Sequence, residues 1–242
     1  MTSISVCMAT YNGVKTLPKQ VKSIITQLSL EDEVVIIDDC STDDTVNLVS
    51  GLLSNFKGQV IIERNEQNMG PIRSFEKALG LATKDLILLS DQDDEWHDNK
   101  VQVLKECYAS ENSDLMVHDA AVLDKNGDII DQSWNHYNHN RVDQNVFGNL
   151  IKNGYTGAMM AVSRRLLEVA LPFPRGIEMH DQWLFLVAKK NHFKITTISD
   201  SLMNYVRHGG NVTGMTKRSK SEMLNGRLRM LGAYLKMKEA PK

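Results

Sequence analysis

Long hydrophobic runs, cysteine and an excess of either charge are what this 242-residue chain has least of. No apolar run approaches the roughly 20 residues that cross a bilayer. The N-terminus passes straight into strand-like sequence, without a basic leader or a small-residue cleavage site, so a cytoplasmic protein is expected. The three cysteines, Cys7, Cys40 and Cys107, are odd in number and far apart. Without a Cys-x-x-Cys spacing they suggest neither a disulfide framework nor a zinc site. A formal charge of -2 lacks the basic excess that marks nucleic-acid binders, and no nucleic-acid partner is expected. What remains, 42% hydrophobic and 24% charged, is a globular chain able to bury a core.

The stretch around which the chain is organised is Asp85 to Trp96. Leu86 to Leu89 are four apolar residues in a row, the pattern of a strand buried on both faces, and they run into Asp91, Asp93 and Asp94. A core strand therefore delivers acid to its own C-terminal edge, where open α/β sheets bind ligands. Three carboxylates within four residues repel one another. A hard divalent cation such as Mg²⁺ or Mn²⁺ accounts for them, and a nucleotide's phosphates account for the cation. A solvated acidic turn is the competing explanation, weakened by the buried strand before it.

The same strand-acid-helix pattern occurs earlier. Ile4 to Ala9 reads as a strand followed by the Thr10-Tyr11-Asn12-Gly13 turn, and Val14, Leu17, Val21, Ile24 and Leu28 give one helical stripe. Glu33 to Asp39 is a second buried strand ending in acid, followed by a helix through Val46, Val49 and Leu53. Gln59 to Glu63 is a third, followed by a helix opening at Pro71. This alternation predicts a parallel sheet with right-handed crossovers.

After a helix through Val101, Leu104 and Tyr108 the alternation stops. Lys125-Asn126-Gly127 between two short runs is a hairpin signal, so a mixed sheet is expected from there. Ser133 to Asn140 reads as a loop, and its His136 and His139 as ordinary loop histidines. A short helix around Val146 to Ile151 and a strand over Ala158 to Val162 come next, with Met159 and Met160 as core filler. His180-Asp181-Gln182-Trp183 opens a helix with Trp183, Leu184, Leu186 and Val187 on its apolar side. Two strands, 194–198 and 202–206, precede a glycine-rich Arg207-His208-Gly209-Gly210 segment suited to an anion. From Ser219 a basic amphipathic helix follows, with Met223, Leu224, Leu228, Leu231 and Leu235 on its apolar side. Membrane surface, partner and own domain are all open to it. The expected organisation is one domain over 1–215, with a nucleotide-binding half (1–110) and an acceptor half (111–215), and a tail over 216–242.

Taken together, Ser5 to Asn12, Asp38 to Thr45, Asn68-Met69-Gly70 and Ser90 to Asp94 resemble glycosyltransferase family 2, the inverting, metal-dependent enzymes with the GT-A fold. Gly157 to Met160, His180 to Trp183 and Tyr205 to Asn211 resemble its bacterial rhamnosyltransferase-like branch. Ala9 stands where the family has proline. The resemblance implies an α/β GT-A fold, with a mostly parallel Rossmann-like half fused to a mixed-sheet half. It implies that Ala9, Tyr11, Asp39 and Asn68 line the base pocket of a UDP- or dTDP-sugar, with Asp91 by the ribose. Asp93 would hold Mn²⁺ or Mg²⁺, with His208 as a second ligand and Arg207 nearby. Asp94 would orient the sugar, Asp181 would be the general base, and Gly157, His180 and Trp183 would shape the donor and acceptor pocket. The implied acceptor is a cell-surface glycan, lipid-linked, as in capsule or O-antigen, with the basic tail as a peripheral contact at the inner membrane face. Two other readings compete: a binding subunit that has lost its chemistry, and a phosphohydrolase of the Asp-x-Asp type. In the second, the acid pair belongs after the first strand, and a small hydroxyl residue belongs at Glu95.

Overall fold

The computed structural model describes residues 2–207 and 219–237. Its first half alternates as expected. β1 (Ile4–Thr10) leads into α1 (Leu17–Ile25), β2 (Glu33–Asp38) into α2 (Thr45–Leu53) and β3 (Gln59–Arg64) into α3 (Pro71–Leu81); β4 (Leu86–Ser90) closes the series. The strands lie in the order β3-β2-β1-β4, all parallel. β2 and β4 are buried along their whole length, which is why each reads as an unbroken apolar run; β3, at the edge, is half-buried. Burying the four aliphatic side chains of β4 contributes roughly 1.5–3 kcal/mol each before the entropy of ordering is set against it. The connections diverge between β1 and β4, so a crevice opens beyond the carboxyl ends of these strands.

The second half adds β5 (Glu95–Trp96), α4 (Lys100–Glu111), β6 (Leu115–Leu123), β7 (Ile129–Asp131), α5 (Trp134–Tyr137), α6 (Val146–Ile151), β8 (Met160–Ser163), α7 (Arg164–Ala170), α8 (His180–Lys190), β9 (Ile195–Val206) and α9 (Lys220–Lys236). β8 runs antiparallel to both β4 and β6, β6 runs parallel to β9, and β5 runs antiparallel to β9. One nine-stranded mixed sheet thus carries both halves. The hairpin between β6 and β7 turns at Gly127, whose φ of 93° is left-handed, and the Asp124 carboxylate accepts the amides of Asn126 and Asp128.

Four local expectations change. The stretch 194–206 is one strand and not two, because the polar run Ser199 to Ser201 is absorbed as register shifts against β6 instead of a turn. The strand expected from Ala158 begins at Met160, since Gly157–Met159 forms a 3₁₀ turn. The loop over Ser133 to Asn140 contains a helical turn, capped by the Ser133 side chain accepting the His136 amide, and His136 pairs with Asp131. Finally, α8 is buried from His180 to Ala188 on all sides, because α3, α6, α7 and α9 all pack against it.

The C-terminal helix lies on its own domain. Met230 is buried, Lys190 Nζ donates to the Tyr234 carbonyl, and Arg229 pairs with Glu178. Gly226 is a close approach: a β-carbon there would meet the Glu178 side chain. The opposite face keeps Leu224, Leu228, Leu231 and Leu235 exposed. Among the described residues no helix is long and apolar enough to cross a membrane.

Candidate active site

Three strand ends build the first wall. After β1 the amide of Tyr11 donates to Gln92 Oε1 (2.9 Å), and Gln92 Nε2 donates back to the Tyr11 carbonyl (3.0 Å). This double bond pair stitches the β1 loop to the β4 loop. A β-carbon at Gly13 would meet the Gln92 carboxamide and push it off the Tyr11 backbone. Asn12, in the left-handed region at φ 49°, accepts the Thr42 amide through its side chain and joins the same loop to the end of β2. Ala9 is half-buried on β1 and Tyr11 stands 47% exposed.

The two acids ending β2 divide their work. Asp38 is buried and accepts from the Ser41 amide and the Thr10 hydroxyl, a structural role. Asp39 accepts from Asn65 Nδ2 (2.9 Å) and from the amides of Met69 (2.8 Å) and Gly70 (2.8 Å). It therefore clamps the 65–70 loop, on whose exposed outer side Asn68 lies. A carboxylate has about four lone-pair positions, so acceptor capacity for one further N–H remains.

Beyond β4, oxygens of Asp91, Asp93 and Asp94 all lie within 4.8 Å of one another. Burial, and then the charge of Asp93 and that of Asp181, raise Asp91 to about 7. Asp94 is only 3% exposed, and among the described residues neither of its oxygens has a full hydrogen bond, although the Val206 amide acts on it. Burial and the neighbouring acids push its pKa well up. Three clustered carboxylates, with the buried oxygens of Asp94 open among the described residues, are the donor set of a hard divalent cation, so these residues fit Mn²⁺ or Mg²⁺.

The facing wall comes from α8. Asp181, buried at the helix N-terminus, accepts from Asn153 Nδ2 (3.0 Å) and the Gln182 amide (2.6 Å). Burial raises it to about 6 against the pull of those bonds and of the Gly157 amide. Its charge reaches Asp91, so Asp181 and the acid cluster lie on one crevice. His180 stacks on Phe75 at 4.3 Å, its Nε2 is without a partner, and burial holds it at about 4, hence neutral. A β-carbon on Gly157 would lie 2.5 Å from that Nε2, so Gly157 leaves room for the ring.

One expected pocket residue sits elsewhere. Trp183 is buried, donates its indole N–H to the Ala170 carbonyl, and helps line a cleft of about 640 Å³ beneath α9. Arg207 bonds to the Tyr137 hydroxyl and covers its ring. His208 lies outside the described residues. In the other direction, Gln92 as a stitch, Asn153 on Asp181 and the buried Lys100 had no role assigned from sequence. Lys100 was legible in principle: it shares the apolar stripe of Val101 and Leu104 at i, i+4 spacing.

Comparisons with known proteins agree on one family. The profile described as "Glycosyl transferase family 2" matches residues 5–170. The chain is 24% identical to the dTDP-rhamnosyl transferase RfbG of Shigella flexneri over 220 residues, covering 86% of this chain and 73% of that protein. It is also 24% identical to the uncharacterized glycosyltransferase alr2836 of Nostoc sp., covering 86% of this chain but only 66% of the relative. In structure it is similar to S. aureus TarS 1-349 in complex with UDP-GlcNAc, with a TM-score of 0.73 at 20% identity over 99% of this chain and 68% of TarS. It is similar too to the mannosyltransferase PcManGT of Pyrobaculum calidifontis in complex with GDP-Man and Mn²⁺, with a TM-score of 0.64 at 18% identity over 98% of this chain and 65% of that one.

Proposed function

The chain belongs to glycosyl transferase family 2 and has the GT-A fold, and on that premise we propose that it is an inverting enzyme using a UDP- or dTDP-sugar. The observation that carries the reading is the acid cluster at the end of β4 facing a buried carboxylate, Asp181, whose charge it feels. The acceptor hydroxyl gives its proton to Asp181 as its oxygen attacks the anomeric carbon from the face opposite the leaving diphosphate. One displacement then inverts the configuration. Asp93, with Asp91 or Asp94 beside it and His208 as a further candidate, holds Mn²⁺ or Mg²⁺. Held there, such an ion would supply positive charge against that developing on the leaving nucleoside diphosphate. Asp94 takes sugar hydroxyls on its unfilled oxygens. Asp39 and the Tyr11 loop frame a pyrimidine, with Asp91 at the ribose. The relative RfbG puts dTDP-rhamnose first among donors to try.

The acceptor proposed is a growing cell-surface glycan on a lipid carrier at the inner membrane face. The exposed leucines of α9 and the cations Arg227 and Lys236 beside them support contact with that surface. The test is thermal stability with UDP, dTDP and GDP, each with and without Mn²⁺, followed by transfer assays. A metal-dependent rise with UDP or dTDP that Asp93→Asn abolishes is the expected result. A folded protein that no nucleotide stabilises would refute the donor assignment.

A further inference from the structure

We propose that Lys100 is a positioning residue for the donor sugar, acting through Asp94. Lys100 opens α4 with its side chain wholly buried. Its Nζ donates to the Ala158 carbonyl at 2.9 Å, touches Met203 Sδ at 3.6 Å and lies 4.1 Å over the Trp96 ring. None of these carries a charge, and among the described residues Lys100 makes no ion pair. An ammonium so placed is costly to desolvate, and a methionine or leucine would fill the same space without that penalty. Packing therefore gives no reason for a lysine here.

The reason lies at the end of β4. Asp94 is the matching case, a buried carboxylate whose two oxygens lack a full hydrogen bond. Lys100 Nζ lies over the ring of Trp96, two residues past Asp94; burial pulls the ammonium down to about 7, while the charges of Asp94 and Asp91 hold it up. A buried acid with free acceptor positions and a buried cation with no carboxylate are complementary parts of one subsite. Sugar hydroxyls donate to Asp94, while Lys100 offsets its charge and keeps it in place. The Ala158 bond has a second effect, because it anchors the 3₁₀ turn whose Gly157 amide acts on Asp181. One ammonium thus ties the donor wall to the base wall.

This rests on the glycosyltransferase reading, and calorimetry on the full chain with Mn²⁺ separates the two. The probes are UDP and dTDP against UDP-glucose and dTDP-rhamnose. The variants are Lys100→Met, Asp94→Asn and their combination, with Lys100→Gln, which can keep the Ala158 bond without the charge, in case the methionine variant does not fold. Expected for Lys100→Met or Lys100→Gln is bare-nucleotide affinity within about twofold of the parent, but a sugar-nucleotide affinity about tenfold weaker, with the double variant no worse than the single ones. Equal losses for nucleotide and sugar nucleotide, additive losses in the double variant, or unchanged sugar-nucleotide affinity would each overturn the role of Lys100. A parent protein that binds no nucleotide would overturn the donor assignment and this inference together.

Discussion

Asp181 is the residue on which rate and stability meet. In the proposed role of base it works ionised, so with a pKa of about 6 transfer should fall about tenfold per pH unit below 6 and level off above it. Its folded-state pKa lies above the ordinary 3.8, so the fold favours the protonated form. That contribution is complete below about pH 4 and is lost as the pH rises through 6. Asp181→Asn should therefore abolish transfer while raising the unfolding midpoint at pH 7.5, by up to about 2 kcal/mol in free energy, and the gap should close toward pH 4. Transfer at pH 7.5 and melts across that range check both halves. Gly157→Ala should have the opposite sign. Its methyl would press on His180, costing about 1–3 kcal/mol and at least tenfold in turnover. Asp93 and Asp181 were legible as candidates because acid at a strand end or helix start stands out. Lys100 is harder to single out because a lysine is ordinarily an exposed residue, although its i, i+4 spacing to Leu104 sets it on the inner side of α4.

Elements were legible where periodicity and burial agree. β2 and β4 announce themselves as apolar runs, and α1 and α3 as stripes. The misreadings fell where polar residues interrupt a strand without turning it, as at Ser199 to Ser201, or where a hydroxyl caps a short helical turn, as at Ser133. A single chain gives no local sign of which will happen, because the outcome depends on the neighbouring strand. The tail helix shows the same limit. Its leucine stripe was visible, but its other face, with Gly226 pressed against Glu178 and Met230 buried, faces its own domain. Since the leucines are exposed, Leu228→Asp together with Leu231→Asp should leave the melting midpoint within about 2 °C. The same pair should remove binding to vesicles containing phosphatidylglycerol in a flotation assay. Undiminished flotation would show that the stripe serves some other contact.

At the scale of the whole molecule, the sheet order β3-β2-β1-β4 sets a crevice at the divergence of β1 and β4, and the antiparallel β8 brings the second half alongside. The end of β4 that carries the acid cluster and the strands of the second half therefore share one sheet-centred unit. A nucleotide present at 100 times its dissociation constant should stabilise that unit by about 2.7 kcal/mol, or roughly 5–10 °C for a chain of this size. The parallel half was legible as alternation. The strand order of the mixed half was not, since besides its hairpin partner β7, β6 takes β8 and β9 as neighbours from later in the chain.

The grip of Asp39 on the 65–70 loop has a kinetic consequence. With the amides of Met69 and Gly70 and the side chain of Asn65 already held, that segment has nothing left to organise when a nucleotide arrives. Capture in stopped flow should then be a single phase that rises linearly with nucleotide concentration. Asp39→Ala should convert it into one that saturates, with the ordering of the loop as the slow step.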